Sequence, residues 1–138
     1  MSIPDLSRHA LVVVDAQQGF DDGGYWGPRN NPACDANIEA LVGHWAATGR
    51  PLVFVRHDSD EPASPLHPSA PGNRLKPYLT ATPDLPVSKA VNSSFLGTPD
   101  LHAWLLANDL PGNVVCGTAT NLHDEFATVV RTAELLDH

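Results

Sequence analysis

Ala10-Leu-Val-Val-Val-Asp15-Ala16 decides the fold: an apolar stretch without alternation, ended by a carboxylate. A strand with one face in water alternates apolar and polar side chains, whereas a strand covered on both faces reads as an unbroken run rich in β-branched residues. The run therefore predicts a central strand of a parallel sheet over residues 10–16, with Asp15 at its carboxyl end. Outward from it, residues 17–32 are rich in Gly, Asp and Asn and read as a long surface loop carrying Phe20, Tyr25 and Trp26. A helix is expected over 36–48, with Asp35 as N-cap and Ile38, Leu41, Val42 and Trp45 at i, i+3, i+4, i+7 spacing. Gly49 ends that helix, and residues 51–56 form a second buried strand.

From 57 to 86 the chain is dense in proline, with Ser, Ala and Gly between, and reads as irregular. Residues 87–91 predict a short third strand. Pro99 in the first turn and Asp100 open a helix through Asn108, whose apolar face is Leu101, Trp104 and Leu105. Pro111-Gly112 turns the chain into a fourth strand over 113–116, closed by Gly117. A short helix over 120–126 and a fifth strand over 127–132 complete the reading. Repeated strand–helix–strand order gives a single α/β domain, residues 1–138: three layers, a parallel sheet with helices on both faces, Rossmann-like. Ligands of such sheets bind at the carboxyl ends of the strands, where Asp15, Lys89 and Gly117 fall.

Composition narrows the function. The chain has 138 residues and a formal net charge of -8, with 42% hydrophobic and 17% charged residues. An acidic globular domain is a poor partner for nucleic acid or anionic membrane, both of which need clustered Lys and Arg. No apolar run is long enough to span a bilayer, and residues 1–6 do not read as a signal peptide. Two cysteines, Cys34 and Cys116, make no disulfide framework, so a reducing, cytoplasmic setting is expected. Neither has a CxxC partner, so no zinc site is expected. The Gly-rich phosphate fingerprints are absent, and no cofactor is expected.

Asp15 admits two readings: a cap or loop carboxylate, or a general base paired with a cation. Lys89, inside a short hydrophobic segment, is the natural cation, although a lone lysine is more often a solvated surface group. Phe20, Trp26 and Phe95 suit the apolar walls of a small organic ligand's pocket and suit a core equally well.

Val13-Val-Asp15-Ala-Gln17-Gln-Gly-Phe20 resembles the first-strand motif of the isochorismatase-like (nicotinamidase-related) cysteine hydrolases. Pro86-Val-Ser-Lys89-Ala-Val-Asn-Ser-Ser-Phe95-Leu-Gly-Thr98 is similar to the segment that holds the family's lysine. Leu101 to Leu110 followed by Asn113-Val-Val-Cys116-Gly117 resembles the helix and strand that lead to its nucleophile. The likeness is collinear over about residues 8–117. It implies a small amide or vinyl-ether substrate, Asp15 as the base that deprotonates a cysteine, Lys89 as the charge-stabilising cation, and a homodimer or higher homo-oligomer. Nicotinamidase-type members carry an Asp-x-His metal site after the second strand. Asp58 and Asp60 have no histidine two residues on, so no metal is expected.

The chain then departs from the family, whose nucleophilic cysteine stands six residues beyond the glycine. That place here is His123. One reading is a replacement of Cys by His. The other, which fits the tail better, takes Asn121 to Leu136 as the family's last helix and strand, so that the nucleophile's strand–helix unit is missing and the fold is one unit shorter. Cys116 is either a small core residue on a buried strand or a relocated nucleophile. Three functions follow: a hydrolase impaired or inactive for want of its thiol, a hydrolase using Cys116, or a non-catalytic binding or oligomerisation module.

Overall fold

The computed structural model describes residues 5–28, 32–118 and 131–138. Four parallel strands, β1 (His9–Val14), β2 (Leu52–His57), β3 (Leu85–Lys89) and β4 (Gly112–Gly117), form one sheet in the order β3-β2-β1-β4. β1 lies between two neighbours and is covered on both faces, as its unbroken apolar run demands. The sequence-based boundary of the first strand extends two residues further than the ladder, because the backbone leaves strand geometry at Asp15.

Helix α2 (Cys34–Ala47) connects β1 to β2, and α3 (Leu101–Ala107) connects β3 to β4. The two crossovers run in opposite directions across the sheet, so right-handed connection puts their helices on opposite faces. Ile38, Leu41, Val42 and Trp45 of α2 bury against Leu11, Val13, Leu52 and Phe54. Leu101 and Leu105 of α3 bury against Val12, Val14, Val53, Val55 and Val87 on the other side. Trp45 is fully buried, and its indole N–H donates to His9 O at 2.9 Å, tying α2 to the start of β1. The three layers expected from the sequence are present.

Several boundaries differ, each for a physical reason. Residues 17–28 are not a surface loop throughout. They form a 3-10 turn (Gln18–Asp21) and the short helix α1 (Gly23–Trp26), with Gln17 and Gly19 buried beneath the proline-rich segment. A Cβ on Gly72 would lie 2.7 Å from Gly19 Cα and 2.6 Å from Pro65 O, so the two glycines allow these segments to touch. Asp35 does not cap α2, which starts at Cys34. Its carboxylate is instead taken by Lys76 at 3.4 Å and by the Tyr78 hydroxyl at 2.7 Å. β3 begins two residues earlier than expected: it is an edge strand, where Pro86, lacking an N–H, is tolerated. Pro99 precedes α3 rather than lying in its first turn, and Asp100 caps the helix by accepting from Ala103 N at 3.0 Å. The expected helix 120–126 and residues 127–130 of the expected fifth strand lie outside the described residues. Thr132 opens the helix α4 (Thr132–Leu136), whose Leu135 packs on the α2 face.

Candidate functional site

The strand order reverses between β1 and β4, and the carboxyl ends around such a point form a crevice. Asp15 stands there with φ 58, a left-handed backbone that non-glycine residues adopt at some cost and that clusters at functional sites. The conformation is held from both sides: Asp15 N–H donates to Val55 O at 2.9 Å, and Gln17 N–H donates to Asp15 O at 2.9 Å. Its side chain is buried, 6% exposed.

Lys89 ends β3, two strands away, and is 4% exposed. Two strand spacings are about 10 Å, so only a long side chain leaning over the end of β2 can close the gap. Lys89 does so. Its Nζ lies 3.1 Å from Asp15 Oδ1 and 3.3 Å from Oδ2, and 3.1 Å from Nδ1 of His57, the last residue of β2. The hydrogen bond runs to Oδ2. Oδ1 makes the shorter ion-pair contact with the ammonium, is itself buried, and among the described residues accepts no bond of hydrogen-bond geometry.

Burial pushes the Asp15 carboxyl above its ordinary value, and the Lys89 charge and hydrogen bond pull part of the way back. Burial, and then the Lys89 charge, hold His57 below the usual histidine value. The lowered value leaves His57 neutral at neutral pH beside the Asp15–Lys89 ion pair.

A buried polar layer supports these groups. Gln17 is 0% exposed. Its Nε2 donates to His57 O at 3.0 Å and to Asn73 O at 2.8 Å, while its Oε1 accepts from His57 N at 2.9 Å. Asn73 Nδ2 in turn donates to Leu66 O and to Asp58 Oδ1, both at 2.9 Å. Burial alone would raise Asp58, but hydrogen bonds from Arg56 and Asn73 outweigh it and hold the carboxyl low. Beyond these, Lys76, also buried, joins Asp21 at 2.5 Å and Asp35 at 3.4 Å, clamping the segment after β1 to the start of α2.

A cavity of about 450 Å³ opens above the pair, lined among others by Asp15, His57, Lys89, Phe20, Tyr25 and Trp26. This is a volume suited to a small organic molecule. The aromatic wall is built locally. The ring centroids of Phe20 and Trp26 are 4.8 Å apart and those of Tyr25 and Trp26 4.6 Å apart, and the Trp26 indole N–H donates to Gly19 O at 2.9 Å. Phe95, expected as a third wall, sits 46% exposed on the 3-10 turn Ser94–Leu96, outside the lining; Asn92 of the same segment lines the cavity instead.

Cys116 is on a different face. It pairs in register with Val13 and packs with the α2 cluster, whereas Lys89 and His57 continue the alternation of Val87 and Val55 on the α3 side. Burial pushes its thiol up to about 12. Cys34, at the start of α2, directs its thiol at Gly117 O, 3.7 Å away, and does not line the cavity. Among the described residues no three His, Cys, Asp or Glu side chains converge as a metal site.

The structure thus brings together Asp15, Lys89, Phe20 and Trp26 and separates Phe95 and Cys116 from them. The sequence reading passed over Gln17, His57, Asn73 and Tyr25 as site residues. His57 carried a usable signal, since it ends β2 just where Asp15 follows β1 and Lys89 ends β3. Chemically, the cavity joins a buried carboxylate, the cation paired with it and an aromatic wall, and no cysteine lines it among the described residues.

Comparison with known proteins agrees with this fold. The family model for the isochorismatase domain matches residues 9–129. The uncharacterized isochorismatase family protein YrdC of Bacillus subtilis (strain 168) is 35% identical over 114 residues, 82% of this chain and 60% of that protein. The crystal structure of an isochorismatase-family protein from Chromobacterium violaceum superposes with a TM-score of 0.75 at 38% identity, over 86% of this chain and 63% of that one. The N-carbamoylsarcosine amidase of Thermoplasma acidophilum, 21% identical with a TM-score of 0.63 over 80% of this chain and 67% of that one, shares the fold. The chain therefore spans less than two thirds of the length of the first two relatives, and over that span it belongs to the isochorismatase family.

Proposed function

We propose that this chain carries the base-and-cation half of an isochorismatase-family hydrolytic site, binding a small amide or vinyl-ether compound without a thiol placed to attack it. The observation that carries the reading is the division of groups between the two sheet faces. Asp15 and Lys89 meet at the cavity floor with Asp15 Oδ1 unpaired by hydrogen bonds among the described residues, while Cys116 packs against α2 with its thiol pushed up to about 12. A thiol so raised stays protonated at neutral pH and is a poor nucleophile. His123 occupies the place six residues beyond Gly117 and lies outside the described residues. The family match runs from residue 9 to residue 129 and so includes that place.

Two measurements on the full chain test this. Benzamide, a small primary amide, should quench or shift tryptophan fluorescence by binding beside Trp26, and Asp15→Asn should weaken the effect. His123→Cys should create a thiol that iodoacetamide alkylates below pH 7 only while Asp15 is present. Rapid Asp15-dependent alkylation of Cys116 in the unmodified chain would overturn the proposal.

A further inference from the structure

His57 ends the strand between those that carry Asp15 and Lys89, and its environment fixes more than its position. An ammonium has three donors and no acceptor. The 3.1 Å contact between Lys89 Nζ and His57 Nδ1 is therefore a bond in which Lys89 donates, and Nδ1 must be unprotonated. A neutral imidazole then carries its proton on Nε2. The ring's backbone is equally constrained, because the fully buried Gln17 engages both the N–H and the C=O of His57. Such double anchoring is more than a cavity wall requires.

We infer that His57 is a positioning residue for the Asp15–Lys89 pair: it accepts one Lys89 N–H at Nδ1, aims the remaining donors at Asp15 and the cavity, and disables the site when it becomes protonated. Protonation would put an N–H where Lys89 now donates, with two cations about 3 Å apart. The lysine would have to turn away, breaking the alignment with Asp15. The charged groups that act on His57 are Lys89 from β3, Asp15 after β1, and Asp58 and Asp60 from its own segment. The three carboxylates favour the imidazolium, while burial and Lys89 oppose it and prevail, so the ring is neutral at neutral pH. This orientation of Lys89 is a property of the folded chain. Its consequence for ligands rests on the function proposed above.

Long-range ¹H–¹⁵N spectra of the ¹⁵N-labelled chain read the first part directly, with His57 assigned by its loss in His57→Asn. The expected state at pH 7.5 is an unprotonated Nδ1 and a protonated Nε2, with a titration midpoint below 6.5. An Nδ1–H tautomer, or an imidazolium at that pH, overturns the inference. Benzamide binding, followed by tryptophan fluorescence from pH 5 to 8, reads the second part. Wild-type affinity should fall about ten-fold as pH drops through the His57 midpoint. His57→Ala should be weak at every pH, and His57→Asn, whose Oδ1 can stand where Nδ1 stood, should recover most of that loss with a flat profile. If benzamide does not bind while the spectra show the expected tautomer, the proposed function fails and the role of His57 stands. If benzamide binds with the same pH profile in wild type and His57→Ala, the role of His57 fails and the proposed function stands.

Discussion

Replacing Gln17 by Glu changes one atom type at the centre of the buried layer and should make the fold pH-dependent. In the native chain Gln17 Nε2 donates to His57 O at 3.0 Å and Asn73 O at 2.8 Å, and Oε1 accepts from His57 N at 2.9 Å. In Gln17→Glu, the oxygen that replaces Nε2 faces two carbonyl oxygens at those distances. An ionised carboxylate there is both desolvated and repelled, so the folded state must keep the group protonated. An unfolded glutamate titrates near ~4.3, and each unit by which the folded value is raised corresponds to about 1.4 kcal/mol. A rise of two to three units, ordinary for a fully buried carboxyl, gives about 3–4 kcal/mol, with about 1 kcal/mol more for the one bond a lone O–H cannot supply. A raised carboxyl contributes stability that is present below its unfolded value and lost as pH rises through its folded value. The deficit relative to wild type should thus be about 1 kcal/mol at pH 4.5 and about 4–5 kcal/mol at pH 8, a large share of a typical domain's stability. Urea unfolding followed by tryptophan fluorescence, each variant against wild type at the same pH, measures it. Equal stability of the two proteins at pH 8, or the same deficit at both values, would refute the reasoning.

Other expectations follow from the same contacts. Lys76→Met leaves Asp21 and Asp35 without the buried cation that links them and should lower stability by about 2–4 kcal/mol in thermal unfolding, more than a surface lysine would. Gly117→Ala places a Cβ 2.1 Å from Val14 O, an overlap that only separation of β1 from β4 relieves, so a loss of about 3 kcal/mol or more is expected in the same assay. Cys116, with its thiol near 12, should react with iodoacetamide at pH 7.5 at least ~1000-fold more slowly in the folded chain than in urea, read by peptide mass spectrometry. His57, held below 6.5 by burial, contributes stability that is present above 6.5 and lost as pH falls through its folded value. His57→Asn should therefore flatten that part of the urea profile between pH 7 and 5.

The layers of the fold were legible because each rests on a local pattern. The unbroken run Ala10–Val14 could only be a strand covered twice, and Ile38, Leu41, Val42 and Trp45 could only face one way on a helix; all four are buried against the sheet. Asp15 and Lys89 were legible as strand-end residues and through resemblance, and the sheet brings them to 3.1 Å. The misplaced features depend on contacts distant in sequence. Asp35 reads as a cap until Lys76 and Tyr78 arrive from some forty residues away, and Gln17 reads as a loop residue until His57 and Asn73 close over it. Phe95 and Phe20 are chemically the same side chain. Only Phe20 lines the cavity, because Gly19 and Gly72 let its segment fold inward, while Phe95 rides on an exposed turn.

The proposed lack of a working thiol is tested most directly by intact-protein mass spectrometry after mixing with p-nitrophenyl acetate, with Asp15→Asn as the parallel sample. The expected result is that neither Cys34 nor Cys116 gains an acetyl group and that nitrophenol release is the same in both proteins. An acetyl adduct on Cys116 that forms, hydrolyses, and disappears in Asp15→Asn would contradict it and make the chain a hydrolase with its nucleophile moved to β4.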